Sequence, residues 1–176
     1  MQTDADPARR SRDDAVSLFI RGPISYAAGM TDEQFLHIVS ATPLVSIDLI
    51  VRDEAGRVLL GHRLNRPAQG SWFVPGGRIR KNERVAEALR RISERELGVV
   101  LPEARLVGAV DHFYPDNFLG APGVDTHYVV LEFATEMRGE TRFTHDDQHA
   151  ALRWWKVEDL LAAPDVHENT KAYFRP

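Results

Sequence analysis

The chain has no cysteine among its 176 residues. That excludes a disulfide framework, a thiol nucleophile and a cysteine-based zinc site. Long apolar runs are missing too, and none approaches the roughly 18 residues that a membrane-crossing helix needs. A surplus of positive charge is also absent. Lys and Arg total 22 against 26 Asp and Glu, a formal net charge of −4, which argues against nucleic acid as a partner. Residues Met1 to Asp6 lack the basic-then-apolar pattern of a signal peptide, so a cytoplasmic protein is expected. No internal repeat or low-complexity tract is found.

The composition, 43% hydrophobic and 27% charged, is that of a soluble globular protein with enough length to bury one core. Residues 1–30 are polar and charged up to Asp14, then carry short apolar stretches broken by Gly22-Pro23. They read as a poorly ordered N-terminal extension, with a weak helix around Asp13–Ile20 as the alternative. The folded domain is expected over 31–176. Thr31 followed by Gln34 is a capping box, predicting a helix over Asp32–Ser40. Leu44–Arg52 alternates as a strand, with Val45, Ile47, Leu49 and Val51 on one face and Ser46, Asp48 and Ile50 on the other. Asp53-Glu54-Ala55-Gly56 is a turn, and Arg57–Arg63 returns as the second hairpin arm. Trp72–Val74 is a short strand closed by Pro75-Gly76-Gly77. Leu106–His112, Tyr128–Ala134 and Leu152–Lys156 are further strands, and Val157–Ala162 a short helix. The one long helix is predicted at Glu83–Leu97, between an Asn82 N-cap and Gly98. Strand pairs interrupted by a central helix indicate an α/β (α+β) fold with a mixed sheet and helices on its faces.

On that helix Val85, Leu89 and Ile92 form an apolar stripe, and Glu96 falls on the same side. A carboxylate facing the core is costly unless a cation or hydrogen-bond donors compensate it. The alternative is a last turn that frays to solvent. The preceding Gly-Gly loop favours a ligand role, because backbone carbonyls and a helix-borne carboxylate can together hold a hard cation. Glycines there also let a phosphate approach the backbone.

Gly77, Glu83, Arg91, Glu96, Gly98 and Val99 sit at the spacings of the Nudix box, G-x5-E-x7-R-E-U-x-E-E-x-G-U. Ile92 and Arg95 stand where the box has two of its three metal-binding carboxylates, and Ser93 replaces its apolar residue. Several other segments are similar to the GDP-mannose mannosyl hydrolases of the Nudix superfamily. They are Pro43-Leu44-Val45-Ser46, Asn65 to Gly70, Trp72 to Arg78, His112-Phe113-Tyr114, Thr126 to Leu131, Asp147-Gln148-His149, Val166 to Asn169 and Ala172-Tyr173-Phe174. The resemblance covers about residues 32–174, and that family carries the same reduced box. It implies a Nudix fold, a mixed β-sheet sandwiched between helices. It also implies a homodimer and Mg²⁺-dependent hydrolysis (Mn²⁺ as substitute) of a GDP-hexose at the anomeric carbon.

Carried over by position, Glu96, Gln148 and the Gly76 carbonyl would hold Mg²⁺ with the diphosphate. His149 resembles the general base, an imidazole titrating near neutrality being suited to activating water. A solvated loop is the alternative for Gln148 and His149, and His145 is a local competitor without a counterpart in that family. Arg63 and Arg78 resemble arginines gripping the diphosphate, with surface ion pairs as their alternative. Tyr128 resembles a hydrogen-bond donor to a phosphate oxygen, with ordinary strand packing as its alternative, Asp48 a residue near sugar and base, and His112 a site histidine that orients others. Arg91 with Glu87 or Glu83 reads as structural. The resemblance implies water attack at C1 with inversion, releasing GDP and free mannose or glucose. The competing readings are a conventional Nudix pyrophosphohydrolase attacking phosphorus and a non-catalytic domain that binds a nucleotide sugar.

Overall fold

The computed structural model describes residues 30–101, 103–138, 143 and 149–175. The expected extension, apart from Met30, and the alternative helix within it lie outside these residues, as do His145 and Gln148. Thr31 caps the first helix, α1 (Asp32–Ala41), as its spacing predicts: its Oγ1 accepts from the Gln34 amide, and its own amide donates to Gln34 Oε1. The strands β1 (Leu44–Asp53) and β2 (Val58–Arg63) then form the predicted hairpin. Asp53 Oδ1 closes its turn by accepting from the Ala55 and Arg57 amides, while Gly56 takes φ 73°.

Away from the turn the hairpin opens, and two later strands fill the gaps. β4 (Gly76–Arg78) pairs antiparallel with Ser46–Asp48 of β1, and β7 (His149–Trp155) pairs with β2. Gly76–Arg78, expected as a loop, is therefore a strand. β3 (Trp72–Phe73) lines the outer side of β2. β6 (Thr126–Met137) runs parallel to β1 along its whole length, and β5 (Arg105–Tyr114) pairs antiparallel with β6. The main path through this mixed sheet is β3-β2-β1-β6-β5.

β1 lies at the centre of the sheet, so the expected two-faced strand is buried on both sides from Ser46 to Val51. Val45, placed on the apolar face by alternation, is 44% exposed. Ile47, Leu49 and Val51 pack against Ala88, Ile92 and Leu97 of α2 (Val85–Leu97). On the opposite face Leu60, Phe73 and Tyr114 pack with Leu160 of α3 (Val157–Ala162) and Val166. A five-residue helix, α4 (Glu168–Ala172), follows.

The entry to α2 differs from the sequence expectation. Asn82 is not the N-cap; it takes φ 64° in the preceding turn. Glu83 accepts from the Arg80 amide and from the Arg91 guanidinium at 2.6 and 2.8 Å, holding the turn open for two more residues. Arg84 becomes the N-cap, its amide donating to Glu87 Oε2. Arg91 also donates to the Arg78 carbonyl, so it ties helix to strand. Gly98 ends the helix at φ 71°, a conformation that favours glycine. The buried stripe is Ala88, Ile92 and Glu96 with Ser93 and Leu97, whereas Val85 is exposed.

Candidate active site

Register brings together residues that sequence keeps far apart. Asp48 is paired with Glu132, and His112 with Tyr128. Successive residues of a strand alternate between faces, so Asp48, Glu132, Tyr128, His112 and Tyr114 share one. The chain end closes over this face. The Tyr173 hydroxyl donates to Asp48 Oδ2 at 2.6 Å and lies 3.1 Å from His112 Nε2. Both Asp48 and His112 are buried.

Burial sets the electrostatics. It pushes Asp48 up to about 7, against the Tyr173 hydrogen bond and the Arg63 charge, which act downward. It pushes His112 down to about 4, with His167 adding to the effect. The Tyr114, Tyr128 and Tyr173 hydroxyls are all raised by burial and are protonated near neutrality. The site therefore offers neutral donors and acceptors around two carboxyls, Asp48 and Glu132, that burial raises.

Positive charge comes from two arginines. Arg63, at the end of β2, lies over the Phe73 ring at 5.6 Å and pulls down the pKa values of Asp48, Tyr114, Tyr128 and His167. Among the described residues no carboxylate pairs with it. Arg78 on β4 stacks over Phe35 of α1 at 4.1 Å and lowers Tyr128. The backbone of His149 stands directly across from Arg63 in the β2–β7 ladder.

His167 caps α4, its Nδ1 accepting from the Asn169 amide at 3.1 Å, so Nε2 carries its proton. Burial lowers the His167 pKa, with Arg63 adding to the effect. Asn169 stands beside the Tyr114 hydroxyl and holds its pKa down against the larger effect of burial. Yet Asn169 Nδ2 is buried and, among the described residues, makes no hydrogen bond of good geometry.

The glycine loop and α2, which packs on the opposite face of β1 from Asp48, carry the other candidate residues. The Leu49 amide donates to the Pro75 carbonyl, and the Ile79 amide to the Val45 carbonyl. In an antiparallel ladder alternate residues face the partner strand, so the Gly76 carbonyl turns away from β1. A Cβ on Gly76 would sit 2.5 Å from the Ile47 carbonyl and 2.7 Å from Asp48 Oδ1. Only glycine fits that cradle. Next to it Ile92 packs on Gly77, and Glu96 lies one helical turn further along the same stripe. Glu96 is 2% exposed, so it does not fray to solvent. A buried carboxylate and an outward carbonyl are hard oxygen donors of the kind Mg²⁺ takes. Among the described residues no group of three His, Asp or Glu side chains gathers as a metal site.

The chain matches the NUDIX domain over residues 42–175. It belongs to the Nudix family of hydrolases. Low-salt glycan biosynthesis protein Agl8 of Haloferax volcanii is 44% identical over 124 residues, covering 69% of this chain and 76% of that protein. A MutT Nudix hydrolase from Burkholderia pseudomallei superposes with a TM-score of 0.61 at 32% identity, covering 76% of this chain and 96% of that one. The Nudix domain of Shewanella oneidensis NrtR, crystallised with ADP ribose, has the same fold at TM-score 0.61 and 21% identity, covering 82% and 95%.

Nudix hydrolases typically work with a divalent metal and act on nucleotide derivatives. In this Nudix chain Ile92 is core rather than ligand, 1% exposed and packed on Gly77, and Arg95 is exposed. The structure brings together Asp48, His112, Tyr128, Arg63 and Arg78, which the sequence singled out, and sets Gly76 against Asp48. Glu96 lies on α2 across the sheet, Gln148 lies outside the described residues, and His149 begins β7. Sequence reasoning missed Tyr173, His167, Asn169 and Tyr114 as site residues. Their segments had been singled out, but no periodicity marks a five-residue helix, and nothing local tells a site tyrosine from a packing one. No helix of the described residues is long and apolar enough to cross a membrane.

Proposed function

We propose that this Nudix hydrolase cleaves a GDP-hexose, GDP-mannose or GDP-glucose, by water attack at the anomeric carbon, giving GDP and free hexose with inverted configuration. The observation that carries the reading is the burial of Ile92 in the core at a metal-binding position of the box. A fold with one remaining metal-binding carboxylate of the box suits a reaction whose leaving group already bears its charge on a diphosphate. The Haloferax volcanii relative acts in glycan biosynthesis by its name, a process that consumes activated sugars, which agrees with a sugar-nucleotide substrate. Exact specificity between the two hexoses rests on one hydroxyl orientation.

Glu96, Gln148 and the Gly76 carbonyl would hold Mg²⁺, which when bound supplies charge neutralisation at the diphosphate. Arg63 and Arg78 offer paired donors to its oxygens and stabilise the charge that GDP gains as the C1–O bond breaks. Tyr128, protonated throughout, donates a hydrogen bond to a phosphate oxygen. His149, opposite Arg63 in the ladder, takes the proton of the water that attacks C1 from the face opposite the diphosphate. Asp48 and His112 face the sugar. The working unit is a homodimer, and the cytoplasm, where sugar nucleotides are used, is its place. Residues 1–30 form an extension outside the catalytic domain.

The deciding experiment is incubation with GDP-α-D-mannose and Mg²⁺ in ¹⁸O-water, locating the label by mass spectrometry. Label in the hexose with unlabelled GDP supports the proposal. Label in a nucleotide or sugar phosphate means attack at phosphorus, as in conventional Nudix pyrophosphohydrolases. Binding without turnover, with GDP-glucose tried as well, means a non-catalytic sugar-nucleotide domain. In the same assay His149→Gln is expected to lower kcat by about two to four orders of magnitude, the usual size of a general-base contribution.

A further inference from the structure

We infer that Tyr173 is a positioning residue: its hydroxyl, held between Asp48 and His112, fixes the His112 ring as the Nε2–H tautomer and leaves Nδ1 to accept a hydrogen bond from a hydroxyl of the substrate. The inference deepens the GDP-hexose reading and rests on it for the identity of that hydroxyl, which belongs to the sugar.

A phenol has one proton to give and lone pairs with which to accept. Asp48 Oδ2 lies at 2.6 Å and His112 Nε2 at 3.1 Å. With Asp48 ionised, the shorter contact, to a carboxylate oxygen, is the stronger one and takes the proton. The Tyr173 oxygen can then only accept from His112, so Nε2 must carry hydrogen. Burial keeps the ring neutral at physiological pH, and a neutral imidazole has one N–H. Nδ1 is therefore an acceptor. That sign matters for recognition, because a phosphate oxygen also only accepts and would gain nothing at Nδ1. A hydroxyl donates. The same bond holds one oxygen of Asp48 while the other lies against the Gly76 backbone, so the carboxylate is fixed from both ends. Strand register cannot do this alone. β1 and β5 are separated by β6, and the C-terminal segment delivers the hydroxyl that bridges them.

The test uses the full chain with ¹⁵N-labelled histidine, read at about pH 8, where neutral imidazole predominates. Long-range ¹H–¹⁵N spectra report which ring nitrogen is protonated. The wild type is expected to show His112 as Nε2–H, and Tyr173→Phe, which keeps the ring and removes the hydroxyl, to lose that preference. GDP-mannose turnover should fall about tenfold to a hundredfold in kcat, the range for losing a hydrogen bond to a charged group. Inhibition by GDP, which has no sugar, should not change. A role in folding alone would weaken GDP binding as well. An Nδ1–H tautomer in the wild type, an unaltered tautomer in Tyr173→Phe, or full turnover by the variant would overturn the inference. A wild type inert toward GDP-mannose and GDP-glucose would sink the substrate reading and its sugar contact. The tautomer would still decide what Tyr173 does.

Discussion

Gly76 and Asp48 touch so closely that any side chain at position 76 would displace the Asp48 carboxylate. The added Cβ would stand 2.7 Å from Asp48 Oδ1 and 2.5 Å from the Ile47 carbonyl, both inside contact distance. Gly76→Ala must therefore shift β4 or rotate Asp48 away from Tyr173. A loss of about 1–3 kcal/mol in unfolding free energy is expected, the usual size for overpacking, with a larger proportional loss of hydrolysis. Denaturant melts beside a turnover assay check this. A variant of wild-type stability and rate would show that the two strands are loosely joined.

Asp48 and His112 are expected to tilt the pH dependence of stability in opposite directions. His112 is lowered from 6.5 to about 4. Its contribution is present above pH 6.5 and is lost as pH falls through 4, because the unfolded chain takes up a proton that the folded chain refuses. Asp48 is raised from 3.8 to about 7. Its contribution is present below pH 3.8 and is lost as pH rises through 7. Each is worth a few kcal/mol at about 1.4 kcal/mol per pKa unit, so the two largely cancel between pH 4 and 7. Melting temperatures should show His112→Gln gaining stability as pH falls across that window and Asp48→Asn losing it. Parallel curves for both variants would refute the assignment.

Ile92 fills the space where α2 meets the glycine loop. It is 1% exposed and lies 3.3 Å from where a Gly77 Cβ would stand. Ile92→Ala is expected to cost about 2–5 kcal/mol, from lost burial and the cavity left behind. Urea midpoints measure it, and a cost below about 1 kcal/mol would mean that helix and loop close the gap.

Glu96, the retained carboxylate of the box and the ligand proposed for the cation, is buried at 2% exposure. In the wild type Mg²⁺ with GDP should raise Tm, since a ligand that binds the folded state alone stabilises it. Glu96→Gln should abolish most of that shift and lower hydrolysis by at least about a hundredfold, metal ligands being worth several kcal/mol to charge stabilisation. An undiminished shift would move the metal elsewhere.

Much of the fold was legible because its signals are local. The Thr31–Gln34 cap, the Asp53–Gly56 turn and the Gly98 stop each act within a few residues, and each is found where the sequence puts it. The failures share one cause. Asn82 is a sound N-cap by composition, but the Glu83–Arg91 pair across the loop decided where the helix begins. β1 alternates as a half-exposed strand, but β6 and β4 flank it and packing covers both faces.

The candidate site divides along the same line. Sequence by itself determined the Nudix box, its missing carboxylates and the arginines, because residue type and spacing carry that information. Tertiary structure alone decided that Tyr173 would meet Asp48 across 125 positions of chain, and that Ile92 would be core. A hydrogen bond of 2.6 Å depends on strand register and on how the last helix docks. Both are set by long-range packing that no local pattern encodes.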